Sequence, residues 1–216
     1  MVEYLQGGII RGTKEQRGKT LAPNIGGWKL LGRTRLTSSG DNVTVSNLPN
    51  KRYYMVLANT LTSVSDPVFQ VGSSTIDTGN NYADRSSTDG GADSTSTTRA
   101  NIPIGNTTTN QFETIYISNL QNKEKLFICS NVAQNTAGAG NAPSRREEVG
   151  KWANTTDSIG IIRTFKSSGT FDIGSELVVL GWDENDTHSS NFWEPLADVT
   201  LGSDGDNHVI SFVWKV

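Results

Sequence analysis

The chain has 216 residues, of which 34% are hydrophobic and 19% are charged, and its formal net charge is -3. Low hydrophobic and charged fractions, with abundant Gly, Ser, Thr and Asn, favour short strands joined by long polar loops over helices. The acidic balance argues against nucleic-acid binding, which needs a positive excess to displace the counterions of phosphates. Because no apolar run reaches the length of a membrane span, we expect no membrane insertion.

The first segment of the chain, residues 1–27, shows neither helical nor strand periodicity. Its composition predicts an extended N-terminal arm that becomes ordered against a partner, with a frayed terminus as the alternative. No signal peptide is predicted, since the first residues lack both a basic start and an apolar core. The basic side chains of the arm are candidates for contacts with other subunits: Arg11, Lys14, Arg17 and Lys19.

One stretch of the sequence occurs twice, at 28–46 and at 193–211, and the two copies share their Trp, Leu and Gly-Asp-Asn positions. Each copy predicts a strand, a polar turn and a second strand, which is the pattern of a β-hairpin. We therefore expect both copies to occupy equivalent positions. In the first copy, period-2 alternation places one set of residues on a single face: Trp28, Leu30, Gly32, Thr34 and Leu36.

Further strands are predicted where short apolar or alternating runs lie between turn residues. The stretch 77–101 is almost devoid of aliphatic residues and predicts a loop or a solvent-facing edge, and 131–143 predicts a second loop before the charged run 144–148. The strand 52–61 is apolar on both faces, which predicts a central strand covered on two sides. The predicted strands are 52–61, 68–71, 113–118, 125–130, 158–165, 176–182 and 209–216.

About eight to ten short strands without a convincing amphipathic helix predict an all-β protein. The specific expectation is an antiparallel β-sandwich of jelly-roll type spanning 28–216, preceded by the arm 1–27. The strongest strand runs predict a core made of Leu36, Tyr53, Met55, Leu57, Ile115, Ile117, Phe127, Ile161, Val178 and Leu180.

No catalytic motif is present, and we expect neither an enzyme nor a bound cofactor. His188 and His208 lie in polar, loop-like contexts, where surface histidines are commoner than metal ligands. The single cysteine, Cys129, follows an apolar run and predicts a buried, inert thiol. A carboxylate pair for glycoside hydrolysis would be invisible in sequence, because its separation is spatial.

Acidic residues of the stretch 77–101 invite a calcium hypothesis. Their spacing does not match an EF-hand loop, so a solvated loop is favoured over a metal site, and the question of calcium stays open. The carboxylates concerned are Asp77, Asp84, Asp89 and Asp93.

Tryptophans supply the remaining candidates. In a β-rich chain they belong more often to a core or an interface than to a sugar-stacking surface. The strand 209–216 is apolar on both faces and needs a cover for its edge, so we expect its aromatic side chains in the core or at a subunit contact. Beyond the arm, the interface candidates are Arg145, Arg146, Trp152, Phe212 and Trp214.

The segments GNNYADRSSTDGGADSTST and NTAGAGNAPSRREEVGKWAN, with the opening YLQGG, resemble a group of virion proteins from tailed phages and related viruses. The resemblance covers most of the chain from Trp28 onward. It implies a non-enzymatic β-sandwich subunit of the particle, such as a decoration, fibre or tail-associated protein, assembled in the host cytoplasm. It also implies a homo-oligomer, with a trimer favoured, whose arm contacts other virion proteins.

Two other function classes stay open. A carbohydrate-binding adhesin module that recognises a host-surface glycan is the main alternative, with the tryptophans as its stacking surfaces. A glycosidase-like enzyme is the third.

Overall fold

The structure, a computed structural model, describes residues 28–61, 66–105 and 109–183. All of them belong to one compact unit, Trp28–Glu184. The arm, the second repeat copy and the strand 209–216 lie outside the described residues. Within the described part of the chain every regular element is a β-strand, which confirms the all-β prediction. No helix in this part is long and apolar enough to cross a bilayer.

Twelve strands are arranged in two antiparallel sheets that pack face to face as a β-sandwich. The large sheet has eight strands in the order β1-β12-β3-β8-β9-β10-β5-β6, and the small sheet has four in the order β2-β11-β4-β7. The strands are β1 Lys29–Arg35, β2 Asn42–Val45, β3 Tyr53–Thr60, β4 Val68–Gly72, β5 Tyr82–Thr88, β6 Ser94–Arg99, β7 Ile102–Pro103, β8 Gln111–Ser118, β9 Lys125–Ala133, β10 Ser144–Trp152, β11 Ile161–Phe165 and β12 Glu176–Trp182.

The core lies between the two sheets. Alternate residues of each strand point inward, and the two inner faces meet in edge contacts such as that between Phe69 of β4 and Phe127 of β9, whose ring centroids lie 5.7 Å apart. Tyr54 is fully buried in this layer, and its hydroxyl donates to the carbonyl of Ile159 at 3.0 Å, which ties β3 to the segment before β11.

The two sheets differ in width, and this difference determines where the inner face of the large sheet has apolar residues and where it has polar ones. The last strand of the small sheet, β7, lies over β10. The two strands pack so closely that a Cβ added at Gly150 of β10 would come within 2.6 Å of Ile102 Cδ1 of β7. Inner-facing residues near β3 and β12 are apolar, whereas those of β10 and β5 include Asp84, Ser86 and Glu148. The sandwich is therefore apolar at one side and polar at the other.

The first repeat copy is not a hairpin, so that part of the sequence prediction is wrong. β1 pairs with β12 in the large sheet, whereas β2 pairs with β11 in the small sheet. The turn crosses from one sheet to the other because its backbone bonds to a different segment: Gly40 pairs with Phe171, and Leu36 N donates to Ser175 O at 2.9 Å. Strand, turn and strand are correct, and only their partners differ.

The predicted face of β1 is also wrong at Leu30. The pairing register shifts between Leu30 and Gly32, so one extra residue is inserted and the alternation changes phase. As a result Leu30 is 60% exposed, while Leu31 packs against the core.

The two polar stretches contain strands that the sequence did not predict. Residues 77–101 form β5 and β6, and the edge alternative is the correct one, since β6 is the last strand of the large sheet. The charged run 144–148 opens β10. Both were missed because their inward positions are polar: charged and hydroxyl side chains of β5 and β10 face one another, and the apolar alternation that signals a strand is lost.

The predicted core list is half right. Ile115, Ile117 and Phe127 are buried between the sheets, and Met55 and Leu180 are buried on the opposite face of the large sheet. The members of a second group are only partly buried, although Leu36 still packs against the core. For the members on β3 and β12 the prediction was wrong because both strands are apolar on both faces, and alternation does not show which face meets the other sheet. This second group is Leu36, Tyr53, Leu57, Ile161 and Val178. β3 is central as predicted, between β12 and β8.

Candidate functional site

The outer face of the large sheet, turned away from the small sheet, carries an apolar row that crosses six strands. Each member is the direct cross-strand partner of the next, from β1 through β12, β3, β8 and β9 to β10. Because direct partners on one face have Cβ atoms about 5 Å apart, the row is continuous. Its members are, in order, Leu30, Leu180, Met55, Tyr116, Ile128 and Val149. Leu180 and Met55 are buried, at 4% and 8% exposure, so the exposed part of the row is Leu30 at one end and the members on β8, β9 and β10 at the other.

Seven large apolar side chains of this face are exposed, with relative exposures between 43% and 60%. We call these seven residues the apolar outer patch: Leu30, Phe112, Tyr116, Leu126, Ile128, Val132 and Val149. With about 200 Å² for a fully exposed large side chain, the patch presents roughly 700 Å², which is close to the ~800 Å² that one partner contributes to a standard protein interface. Patches of this size on a soluble protein mark contact surfaces.

Charged side chains of both signs accompany the patch, mainly on β5 and β10. Their exposed ion pairs have N···O distances of 3.0, 2.8 and 3.6 Å in the order Arg145–Glu147, Lys151–Glu124 and Arg85–Asp93. Exposed pairs of this kind add little to stability. Their mixed signs let the face meet a like-charged copy without net repulsion.

A shallow depression of about 350 Å³ lies within this face, between β5, β9 and β10. Ile128 and Val149 contribute its apolar lining, and Arg85, Asp93 and Glu147 are among its charged residues. The outer face is thus partly concave as well as apolar. Shape complementarity and apolar area are both needed for close packing against a partner.

Aromatic pairs extend the outer face towards β1 and β12. Trp28 lies 6.3 Å from Tyr116 between ring centroids, and Tyr53 lies 5.8 Å from Trp182. Both tryptophans are partly buried, so they contribute to the surface beside the patch.

Of the predicted interface candidates in the described part of the chain, only Arg145 lies on the outer face. Arg146 points inward, where its Nε donates to Glu148 at 2.6 Å. Trp152 is 1% exposed and its Nε1 donates to Asp77 at 2.7 Å, so it is a core residue and not an interface or sugar-stacking residue. The remaining candidates lie outside the described residues: Arg11, Lys14, Arg17, Lys19, Phe212 and Trp214.

The apolar outer patch was not predicted from the sequence, although the apolar residues on both faces of β9 indicate it. In LFICSNV, the residues Leu126, Ile128 and Val132 alternate with inward-facing residues, so the strand is largely apolar on both faces. Such a strand is typical of a sheet covered on two sides. Within the described part of the chain the outer side of β9 is uncovered, since Leu126, Ile128 and Val132 are exposed.

A cluster of polar side chains occupies the inner face at β5, β8, β9 and β10. Arg146 bridges two strands, donating from Nη2 to Ser86 Oγ at 2.8 Å in addition to its bond to Glu148. Glu113 accepts from Thr60 Oγ1 at 2.8 Å. Four buried oxygens of the cluster accept no hydrogen bond from the described residues: Asp84 Oδ1, Glu113 Oε2, Asn131 Oδ1 and Glu148 Oε1.

Burial dominates the electrostatics of this cluster. Desolvation raises the pKa of Glu113 from 4.5 to about 8, against hydrogen bonds from Thr60 and Asn131 that lower it. Desolvation likewise raises the pKa of Glu148 to about 7, although Arg146 opposes the shift, and it raises the pKa of Asp84. The carboxyl group of Glu113, whose pKa lies above 7, is therefore largely protonated at neutral pH.

Cys129 lies in the same layer and is confirmed as a buried thiol, 4% exposed. Its pKa is raised well above the ordinary value, first by desolvation and then by the carboxyl of Glu148. A thiol held in its protonated form is a poor nucleophile, so no thiolate chemistry is supported at this position.

The carboxylates of the calcium hypothesis do not converge. Asp77 accepts from Trp152 and Asn81, Asp89 binds Ser144 and Arg145, and Asp93 pairs with Arg85. In the ranges 28–61, 66–105 and 109–183, no group of three acidic, histidine or cysteine side chains is placed to hold a metal ion. His188 and His208 lie outside those ranges.

No protein-family model, no curated protein and no solved structure matches this chain.

Proposed function

We propose that this chain is a non-enzymatic structural subunit of a virus or phage particle, and that it assembles with further copies of itself through the apolar outer patch. The observation that carries this proposal is the exposed apolar surface of β8, β9 and β10, on which six of the seven residues of the patch lie. Seven large apolar side chains at 43% to 60% exposure are a surface that a monomer leaves in water only at a cost in free energy.

The size of the patch supports a specific contact. Burying about 700 Å² of apolar surface contributes on the order of 15–20 kcal/mol in transfer free energy before the costs of association are subtracted. Those costs are themselves large, so the patch supports a stable assembly but fixes no affinity.

The charges around the patch favour a second copy as the occupant. Arg145 and Glu147, and likewise Arg85 and Asp93, present both signs within one strand or one hairpin. A partner with a strongly one-sided charge would leave half of these groups opposed to a like charge. Another copy of this surface carries both signs and can match them.

The resemblance to tailed-phage virion proteins supplies the rest of the proposal. It favours a trimer, a jelly-roll strand order, location in the virion and an arm, residues 1–27, that contacts other virion proteins.

Light scattering on the purified chain tests assembly. Ile128→Asp places a carboxylate in the centre of the patch, where burial against a partner is costly, and we expect it to convert the oligomer to a monomer. Ile173→Asp is the matched control: Ile173 is 61% exposed, against 60% for Ile128, but lies in the turn before β12 and outside the strands of the large sheet. We expect this control to keep the oligomer.

A monomeric wild-type chain over the accessible concentration range would contradict assembly through the patch. Equal loss of the oligomer in both variants would show that a charge anywhere is disruptive and would contradict a specific role for this face. Mass spectrometry of purified particles tests the virion assignment separately, which requires the chain to be a stoichiometric component.

A further inference from the structure

A second concave site lies on the opposite side of the large sheet, at its β5-β6 end. It is a cavity of about 330 Å³ bounded by β5, β6 and β10 and by Pro103 of β7. Its position follows from the width of the two sheets, since the small sheet ends at β7, which contacts β5, and no further strand of the small sheet follows it on the side of β6. The polar residues that define it are Asp84, Ser86, Ser94, Ser96, Arg99 and Arg146.

The cavity contains one buried acceptor with no hydrogen-bond donor among the described residues. The side chain of Asp84 is 1% exposed, and its Oδ1 makes no hydrogen bond, with Arg99 Nε at 3.6 Å as its nearest ionic partner. A buried carboxylate oxygen left in this state carries a desolvation cost of about 1–3 kcal/mol or more. A ligand hydroxyl that donates to Asp84 Oδ1 would remove that cost.

Donors stand beside this acceptor. Arg99 donates from Nη1 to Ser96 Oγ at 3.2 Å, and Arg146 donates to Ser86 Oγ at 2.8 Å. The serine hydroxyls that they hold both donate and accept. The lining therefore offers alternating donors and acceptors within one small volume, which is what adjacent hydroxyl groups of a ligand require.

The charged residues of the lining are Asp84, Arg99 and Arg146, and the pairing of their charges decides the class of ligand. Arg99 is placed against Asp84, and Arg146 is bonded to Glu148, so each guanidinium already faces a carboxylate. A phosphate or another anion would compete with these carboxylates for the guanidinium groups, and a cation would face two positive charges. A neutral polar ligand meets neither obstacle.

We propose that this cavity binds a neutral, hydroxyl-rich small molecule of about monosaccharide size, as a free sugar or as the terminal residue of a glycan, with Asp84 as its principal acceptor. The volume of about 330 Å³ lies at the lower end of the range for small-molecule sites, which suits one sugar ring. The site is independent of the proposed assembly, because it is formed by the inner face and the patch by the outer face.

Saturation-transfer NMR on the full chain tests this site, with the methyl glycosides of glucose, galactose, mannose and N-acetylglucosamine as probes. N-acetylneuraminic acid and glucuronic acid serve as charged probes. We expect at least one neutral glycoside to receive saturation and both acids to receive none. A glycan array with the same terminal residues then distinguishes a free sugar from a glycan terminus.

Two variants locate the binding. Asp84→Asn keeps the size of the side chain but replaces the charged acceptor, and we expect affinity to fall about tenfold or more, as for loss of a hydrogen bond to a charged group. Ser96→Ala, on the partly exposed strand β6, removes one hydroxyl of the lining and should also weaken binding. Asp93→Asn is the control, since Asp93 lies in the same β5-β6 hairpin but pairs with Arg85 on the outer face.

No saturation of any neutral probe would overturn the proposal, as would binding of the acids alone. Binding that Asp84→Asn and Ser96→Ala leave unchanged would also overturn it. Thermal unfolding of each variant, measured alongside binding, shows whether Asp84→Asn remains folded. If it does not, the affinity of Ser96→Ala shows whether the sugar binds in this cavity.

Discussion

At the scale of single residues, Glu113 has the most unusual environment in the described part of the chain. Its side chain is fully buried on the inner face of β8, and one carboxyl oxygen accepts from Thr60 while the other accepts no hydrogen bond from the described residues. Desolvation raises its pKa from 4.5 to about 8. The folded chain therefore retains a proton at neutral pH that the unfolded chain releases.

This shift predicts the sign of a pH dependence. Between pH 4.5 and about 8 the folded state binds more protons than the unfolded state, so the free energy of unfolding should fall as the pH rises through this window. The slope is at most about 1.4 kcal/mol per pH unit for each proton. Glu148, whose pKa is raised to about 7, acts in the same direction over a narrower window.

Glu113→Gln tests this account. Glutamine keeps the shape of the protonated carboxyl and does not titrate, so thermal unfolding of the variant should depend less on pH between about 5 and 8 than that of the wild type. Glu147→Gln is a suitable control, because Glu147 lies on the same sheet but is exposed and paired with Arg145. Identical slopes for Glu113→Gln and the wild type would show that Glu113 does not hold its proton in the folded chain.

Residue identity alone indicated some of these environments and not others. The burial of Cys129 was predictable from its apolar neighbours. The burial of Asp84 and Glu148 was not, because acidic residues in polar stretches are usually solvated and nothing local shows that Arg99 and Arg146 will face them from neighbouring strands.

At the scale of elements, close backbone approaches fix the ends of several strands. Gly72 ends β4, where it pairs with Ile161 of β11 and with Ile76 after the following turn. A Cβ at this position would collide with the backbone carbonyl of Thr75. The tight return of the chain after β4 therefore requires glycine.

Gly72→Ala should consequently shift this turn and lower the free energy of unfolding by about 1–3 kcal/mol, as overpacking does elsewhere. In a chain of this length such a loss corresponds to several degrees in Tm. Gly140→Ala is the matched control, since nothing lies within 4 Å of an added Cβ there. Equal melting temperatures for the two variants would show that the turn accepts a side chain.

Elements with apolar alternation were predictable from sequence, and elements with polar inward faces were not. β3, β4, β8, β9, β11 and β12 all overlap runs that the pattern predicts. β5, β6 and β10 escaped because their inward residues pair with one another across strands, and such pairing is a property of the sheet and not of the segment. The change of sheet after β1 was not predicted for the same reason. It is visible only in the pairing of Gly40 with Phe171 and in the hydrogen bond from Leu36 N to Ser175 O.

At the scale of the whole molecule, the unequal width of the two sheets organises both proposed sites. Eight strands face four, so the inner face beyond β7 is left to a polar cavity. The outer face has no facing sheet among the described residues and carries the apolar outer patch. Sequence predicted a sandwich, but neither the strand count of each sheet nor the covered part of each face is encoded locally.

We propose that other copies of this chain cover the apolar outer patch in a virion assembly. Electron cryomicroscopy of the native assembly tests this claim most directly, at a resolution that separates strands. We predict that the outer faces of β8, β9 and β10 pack against another copy, with Tyr116, Ile128 and Val149 buried in the contact. Density that leaves these three side chains in solvent, or that covers them with a different protein, would contradict the claim.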